Sequence, residues 1–376
     1  MAGRGRTAVV AALAAYGEPL RLREVPLPEP ETGALLVRIA AATVCGSDVH
    51  LVDGHMAGSS VRYELPLVPG HEMVGEIVAM GPDADADSVG RPLRPGDRVV
   101  WSPAPCGRCH PCTILRRPNL CQNRVGVMQV SCERFPYVTG AFGEYGYVFP
   151  RSGRIRVPDE VPDALAAAAS CAGRSAVNVL AAAGAIDPSQ HVAVQGSGPL
   201  GLFATVLTAR QRPASLTVIG APADRLAIAR DWGADATIDV GELDAEGRLE
   251  RLRELTGGHG ADVVLECSGA PPAFAEALDL AAIGARVVVA GTLGGPPHPV
   301  AAARIPLKGL RVAGVFSADA DAYDKALELV RRTRDEIDWG RLLAPPRPLS
   351  EVNDALAAMR AGTEIKPLIV PGSDRP

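Results

Sequence analysis

The chain has 376 residues, 47% of them apolar, with a formal net charge of −5 and eight cysteines. That length exceeds one ordinary core and predicts two domains. The acidic balance and the lack of a basic patch exclude nucleic acid and anionic membrane as partners, and no apolar run is read as the ~20 residues of a membrane span.

The chain begins "MAGRGRTAVV". This start is basic, but no apolar helix and cleavage site follow it, so it is not read as a signal peptide. A cytoplasmic location is expected, where cysteines stay reduced. The first half is strand-like and broken by turns. "GALLVRIAAATVC" ends at Cys45, "EMVGEIVAMG" follows the pair His71–Glu72, and "RPGDRVVWSP" leads into a cysteine-rich segment. Short β-rich runs punctuated by Gly and Pro predict a barrel-like domain.

The segment "CGRCHPC" (Cys106, Cys109, Cys112), with Cys121 after it, sets three cysteines two residues apart. Disulfides at that spacing would strain the chain, and a reducing compartment favours metal. Four thiolates suit a closed tetrahedral zinc site; a four-cysteine iron–sulfur cluster is the rival. Pro105, Pro111, Arg116, Arg117 and Pro118 leave this lobe little core of its own, so a metal is what would hold it together.

From Pro162 the texture changes. "PDALAAAASCAGRSAVNVLAAAG" is Ala-rich and helical, and then strand and helix alternate: "HVAVQ", "GPLGLFATVLTARQ", "SLTVI", "ADRLAIARDWG", "ADVVLEC" and "ARVVVAG". Such alternation predicts a doubly wound parallel sheet. The turn after "HVAVQ" carries Gly196-x-Gly198-x-x-Gly201, with Pro199 and Leu200 between. Its glycines permit a tight turn, close approach of a pyrophosphate and helix–strand packing, with the phosphates facing a helix N-terminus. The acidic residue that usually ends the next strand to hold the ribose is missing; Gly220 stands there. No carboxylate repels a 2′-phosphate, and Arg225 is the only cation near, so NAD and NADP both remain open. A last helix, "DAYDKALELVRRTRDE", and a tail ending "EIKPLIVP" are expected to return to the first domain. The expected division is a β-rich domain over 1–170 with 319–376, and a dinucleotide-binding domain over 171–318.

Three further pieces stand apart: "CGSDVH" (Cys45 to His50), "GHE" (Gly70 to Glu72) and "SCAGRS" (Ser170 to Ser175). Either cysteine alone reads as a buried apolar thiol. Beside a nucleotide fold, Cys45, His71 and Cys171 make an open zinc site of two thiolates and an imidazole, the ligand set of alcohol dehydrogenase. With "PGDRV", the cysteine lobe and the glycine turn in the same order, nearly the whole chain resembles the zinc-dependent medium-chain alcohol and polyol dehydrogenases. The resemblance implies a β-rich GroES-like catalytic domain, a Rossmann domain and two zinc ions per chain. It implies that Cys45, His71 and Cys171 hold the catalytic zinc, with Glu72 close to it, and that Cys106, Cys109, Cys112 and Cys121 hold the structural zinc. Asp48 then fixes the His71 ring. Ser47 contacts the substrate oxygen and His50 ends a proton relay. Ser175 packs at the nicotinamide and Lys366 contacts the cofactor phosphates. A homodimer or homotetramer acting on a small alcohol or carbonyl is implied as well.

The chain also departs from the family. Eight residues separate Cys112 from Cys121, one more than usual, so that loop must bulge. Cys171 matches the simple alcohol branch, whereas polyol members often carry glutamate as third ligand. Gly46 replaces a basic phosphate contact of some members. The expected reaction is hydride exchange between an alcohol and the nicotinamide, with zinc acidifying the hydroxyl and the proton leaving through Ser47 and His50, an imidazole being suited to that exit. Pocket residues are expected on Val52–Tyr63 and around Trp101. Aromatics at 4% argue against a pocket of stacked rings and favour a polar secondary alcohol such as a polyol, sugar or cyclitol. The rivals are a zinc-less quinone or enoyl reductase on the same fold, and a non-enzymatic nucleotide-binding protein.

Overall fold

A computed structural model describes residues 6–58, 61–291 and 297–372. The chain divides into two compact units, Met1–Cys171 with Ala318–Pro376, and Ala172–Ser317.

In the first unit β1 (Thr7–Ala12) and β2 (Arg21–Pro26) form an antiparallel pair. The larger sheet takes β3 (Leu35–Thr43), β4 (Glu72–Met80), β5 (Arg98–Trp101), β6 (Tyr145–Val148) and β7 (Arg154–Arg156), joined by β14 (Leu343–Arg347) and β15 (Lys366–Ile369) from the far end of the chain. Its order is β14-β15-β3-β4-β5-β7, with β6 also paired to β3. Register is what matters for the site. Antiparallel pairing sets Thr43 of β3 opposite Glu72 of β4 and opposite Leu368 of β15. Two register shifts between β3 and β4 bend these strands, as closing a sheet requires. Leu35, Ile39, Met73, Phe142 and Tyr147 fill the core beneath them. Trp101, within the segment expected to supply pocket residues, lies in this same core at 3% exposure. Within the expected Val52–Tyr63 wall, residues 59 and 60 lie outside the described residues, as do 1–5 of the basic start.

The second unit holds a parallel sheet of β8 (His191–Gln195), β9 (Ser215–Gly220), β10 (Ala236–Asp239), β11 (Ala261–Glu266), β12 (Ala281–Val289) and β13 (Arg311–Gly314), in the order β10-β9-β8-β11-β12-β13. This is the strand order of a dinucleotide-binding sheet, reversing direction between β8 and β11. Ala193, Ile219, Val264 and Val287 are buried in it. β10 and β13 were not legible in the sequence: each has four residues, and β13 is largely exposed, so neither carries an apolar run.

The Ala-rich segment forms one helical run, Asp163–Ala183, of 21 residues. By length and composition it is apolar enough to cross a membrane, which corrects the expectation that no such run exists. Most of it is buried inside the protein: Asp163–Ala168 packs on β3 and β4, and Arg174–Ala183 on β12 and the helix Pro199–Ala209. Between them the run widens into a π-helical turn at Ala169–Gly173, which carries Cys171. Such turns concentrate at functional sites because they re-aim a side chain out of regular helical register.

Candidate metal and dinucleotide sites

Cys45 is the residue that begins the helix Gly46–Val52, so its side chain stands at the end of β3. One helical turn on, Asp48 is fully buried and uses both oxygens. Oδ2 accepts the backbone N–H of Cys45 at 2.9 Å, and Oδ1 lies 2.9 Å from His71 Nδ1. A carboxylate on Nδ1 fixes the ring so that Nε2 is the ligating atom. That nitrogen lies 3.5 Å from Cys171 Sγ. The donor atoms of Cys45, His71, Glu72 and Cys171 all fall within 4.8 Å of one another. Ligands around one tetrahedral zinc stand ~3.3–3.8 Å apart, given its bond lengths to S and N, so the donors fit a single such ion.

The electrostatics agree with that fit. The hydrogen bond with Cys171, then burial, push the Cys45 thiol up to about 11, whereas the same bond holds Cys171 well below the ordinary thiol range. Burial pulls His71 down, but Asp48 and the two cysteines outweigh it and raise it. Donors poised this way release protons to a cation that takes their place.

Glu72 is in the donor group but is not free. Lys366 Nζ donates to both of its oxygens, at 2.5 Å for Oε1, and Thr43 Oγ1 donates at 2.5 Å. Burial pushes Glu72 up to about 7 against the pull of Lys366. Lys366 is itself 2% exposed. The expectation that it contacts cofactor phosphates is therefore corrected: its ammonium is committed to Glu72 inside the first unit, because β15 pairs with β3. Sequence reasoning missed this partnership, since 294 residues separate the pair.

Ser47 and His50 stand three residues apart on the helix Gly46–Val52, and therefore on one face. Both are half-buried, and His50 Nδ1 meets His55 Nδ1 at 3.3 Å.

In the cysteine lobe Cys109 Sγ lies 3.4 Å from Cys112 Sγ and 3.7 Å from Cys121 Sγ. With Cys106 these sulfurs form the second donor group. Separations this short match one tetrahedral ion; an iron–sulfur cube would need its thiolates spread around several irons. Backbone N–H groups face the sulfurs. The one from Arg108 holds Cys106 down at about 6, and Cys106 N–H donates to Cys121 Sγ at 3.3 Å. After the short helix His110–Thr113, Arg116 adopts a left-handed φ of 51°.

In the second unit the turn after β8 keeps its glycines for space. A Cβ on Gly201 would lie 1.9 Å from the Gly196 carbonyl oxygen, and Gly196 has φ +107°. Gly198 precedes the helix Pro199–Ala209, with Pro199 and Leu200 in its first turn. Gly220 ends β9. A Cβ there would stand 2.6 Å from Ser197 Oγ and 2.9 Å from Ser197 N. Gly220 is thus a close-packing residue under the glycine loop. Arg225 lies in the first turn of the helix Ala223–Asp231, and Ser175 is half-buried on Arg174–Ala183.

Sequence profiles of two domains match the chain: the alcohol dehydrogenase GroES-like domain over residues 31–159 and the zinc-binding dehydrogenase domain over 199–332. The chain is 31% identical to 5-exo-hydroxycamphor dehydrogenase of Pseudomonas putida, covering 92% of this chain and 94% of that protein. It belongs to the zinc-binding medium-chain alcohol dehydrogenases. It is 30% identical to L-threonine 3-dehydrogenase of Edwardsiella ictaluri, over 92% of this chain and 94% of the relative. An alcohol dehydrogenase structure from Thermotoga maritima superposes with a TM-score of 0.89 at 30% identity, covering 98% of this chain and all (100%) of the other. A zinc-binding dehydrogenase from Sinorhizobium meliloti bound to NADP gives a TM-score of 0.81 at 27% identity, covering 97% and 100%. As a member of this family the chain is an NAD(P)-dependent oxidoreductase.

Two outcomes are expected. Cys109→Ser should lower zinc content by about one ion per chain and lower the thermal midpoint, read by elemental analysis and calorimetry. Gly220→Ala should cost about 1–3 kcal/mol of stability by overpacking and weaken NAD and NADP alike. Gly220→Asp should do the same without changing their ratio, as dinucleotide titrations would show.

Proposed function

We propose that the chain is a zinc-dependent dehydrogenase that moves a hydride between a secondary alcohol and NAD or NADP, reversibly with the ketone. The observation that carries this reading is the convergence of Cys45, His71 and Cys171 on one point, with Asp48 behind the imidazole. The secondary carbon is supported by the relatives: 5-exo-hydroxycamphor and L-threonine 3-dehydrogenases are both named for an alcohol on such a carbon. In this reading the first unit does the chemistry and Ala172–Ser317 carries the dinucleotide on Gly196–Gly201.

Zinc held by Cys45, His71 and Cys171 supplies Lewis acidity that lowers the pKa of an alcohol hydroxyl. The rest falls to the chain's own residues. Asp48 keeps the His71 ring aimed. Lys366 and Thr43 occupy the Glu72 carboxylate, so Cys45, His71 and Cys171 are the residues that would hold the metal. Ser47 takes up the hydroxyl proton, and His50, one turn along the same helix face, passes it outward to the exposed segment that carries His55. The alcohol gives up a proton and a hydride together, the hydride going to the dinucleotide that the Gly196–Gly201 loop would hold.

The test is a panel of primary and secondary alcohols with both cofactors, run beside metal analysis. Turnover of secondary alcohols with two zinc ions per chain is expected. Turnover with the His71→Ala variant, or with primary alcohols alone, would sink the reading. His50→Gln should slow oxidation most below neutral pH, where hydroxide is too scarce to collect the proton directly. A pH–rate profile that keeps its shape when chemistry limits turnover would remove His50 from the relay.

A further inference from the structure

Among the described residues, the fully buried carboxylate of Glu266 is one that the mechanism leaves unused. It is the last residue of β11, paired with Gln195 of β8 on one side and Val289 of β12 on the other. Oε1 accepts from Ser268 N at 2.8 Å, Ser268 Oγ at 2.6 Å and Gly269 N at 3.0 Å. Oε2 accepts from Gly291 N at 3.2 Å, and the Glu266 carbonyl accepts from Ala290 N at 2.9 Å. The side chain's hydrogen-bond partners are thus amides and a hydroxyl of two turns, at the C-terminal ends of β11 and β12.

The turn after β11 lies against the glycine loop, and Gly291 lies against that turn. A Cβ on Gly196 would come within 2.9 Å of Ser268 Cα, one on Gly269 within 1.9 Å of Gly291 O, and one on Gly291 within 2.3 Å of Gly269 N. Three backbones touch here with no side chain between them. Nothing on the chain except the Glu266 carboxylate links both neighbouring turns by side-chain hydrogen bonds of this kind among the described residues. Charged acceptors make the stronger hydrogen bonds, which suits a clamp that must order loop backbone.

We propose that Glu266 is a positioning residue of the dinucleotide site, its carboxylate holding the turns after β11 and β12 so that the Gly196–Gly201 loop keeps the shape that receives the pyrophosphate. This rests on the reading that the second unit binds a nicotinamide dinucleotide. Glutamine at this place keeps one acceptor but turns its amide donors toward the Gly291 N–H, so the clamp fails on one side.

The experiment titrates NADH and NADPH into the wild type, Glu266→Gln and Ser268→Ala by nucleotide fluorescence, well below each thermal midpoint. No alcohol is needed. The expected result is a Kd raised about tenfold or more in Glu266→Gln, the loss of hydrogen bonds to a charged group, and a smaller rise in Ser268→Ala. Zinc content should stay at the wild-type value. A folded Glu266→Gln that binds both dinucleotides within about twofold of wild type overturns the proposal; if that variant does not fold, an unchanged Kd in Ser268→Ala does so. Wild type binding neither dinucleotide overturns the underlying reading of the unit, and the proposal with it.

Discussion

The buried pair of Glu72 and Lys366 is the constraint on which the catalytic unit is built. Lys366 opens β15, the return strand, and Glu72 opens β4, next to His71 of the candidate metal-donor group. Both side chains are out of water, at 2% and 0% exposure. Each alone would be an uncompensated buried charge, and removing one partner of such a pair ordinarily costs about 3–5 kcal/mol. The C-terminal segment is therefore tied to the site by charge as well as by strand pairing. Thr43, opposite Glu72 in the sheet, supplies the third contact.

Around that anchor the metal donors are aimed by local devices. Asp48 serves two of them with its two oxygens, on the backbone of Cys45 and the ring of His71. Cys171 is delivered by the π-helical turn at Ala169–Gly173. Each device sets direction more than strength, which is what a coordination shell of fixed angles requires. The cysteine lobe reaches the same end differently: its sulfurs face backbone N–H groups in a segment with little apolar core.

The second unit follows another logic. Its site is backbone meeting backbone, made possible by missing side chains at Gly196, Gly201, Gly220, Gly269 and Gly291. Among the described residues, Glu266 adds a charged side chain to that meeting of loops. Fold alone does not specify a reaction; here the metal donors of one unit and the glycine loop of the other make the alcohol dehydrogenase reading specific.

The sequence by itself determined the two-part architecture, the two metal-donor sets and the glycine loop. The cysteine lobe and the glycine loop depend on residue type and short spacing: Cys106 to Cys121 is one local segment, and Gly196 to Gly201 one turn. The resemblance to the family tied Cys45, His71 and Cys171 together across the chain before any distance was known. What only the tertiary structure decided depends on pairing between distant strands or on space. Lys366 reads as a free cation until β15 is laid beside β3, which turns it onto Glu72. Gly220 reads as an absent carboxylate until Ser197 is seen against it. Glu266 reads as an ordinary strand end until the turns after β11 and β12 close over it. No local pattern encodes these, because each is set by which backbones the sheets bring side by side.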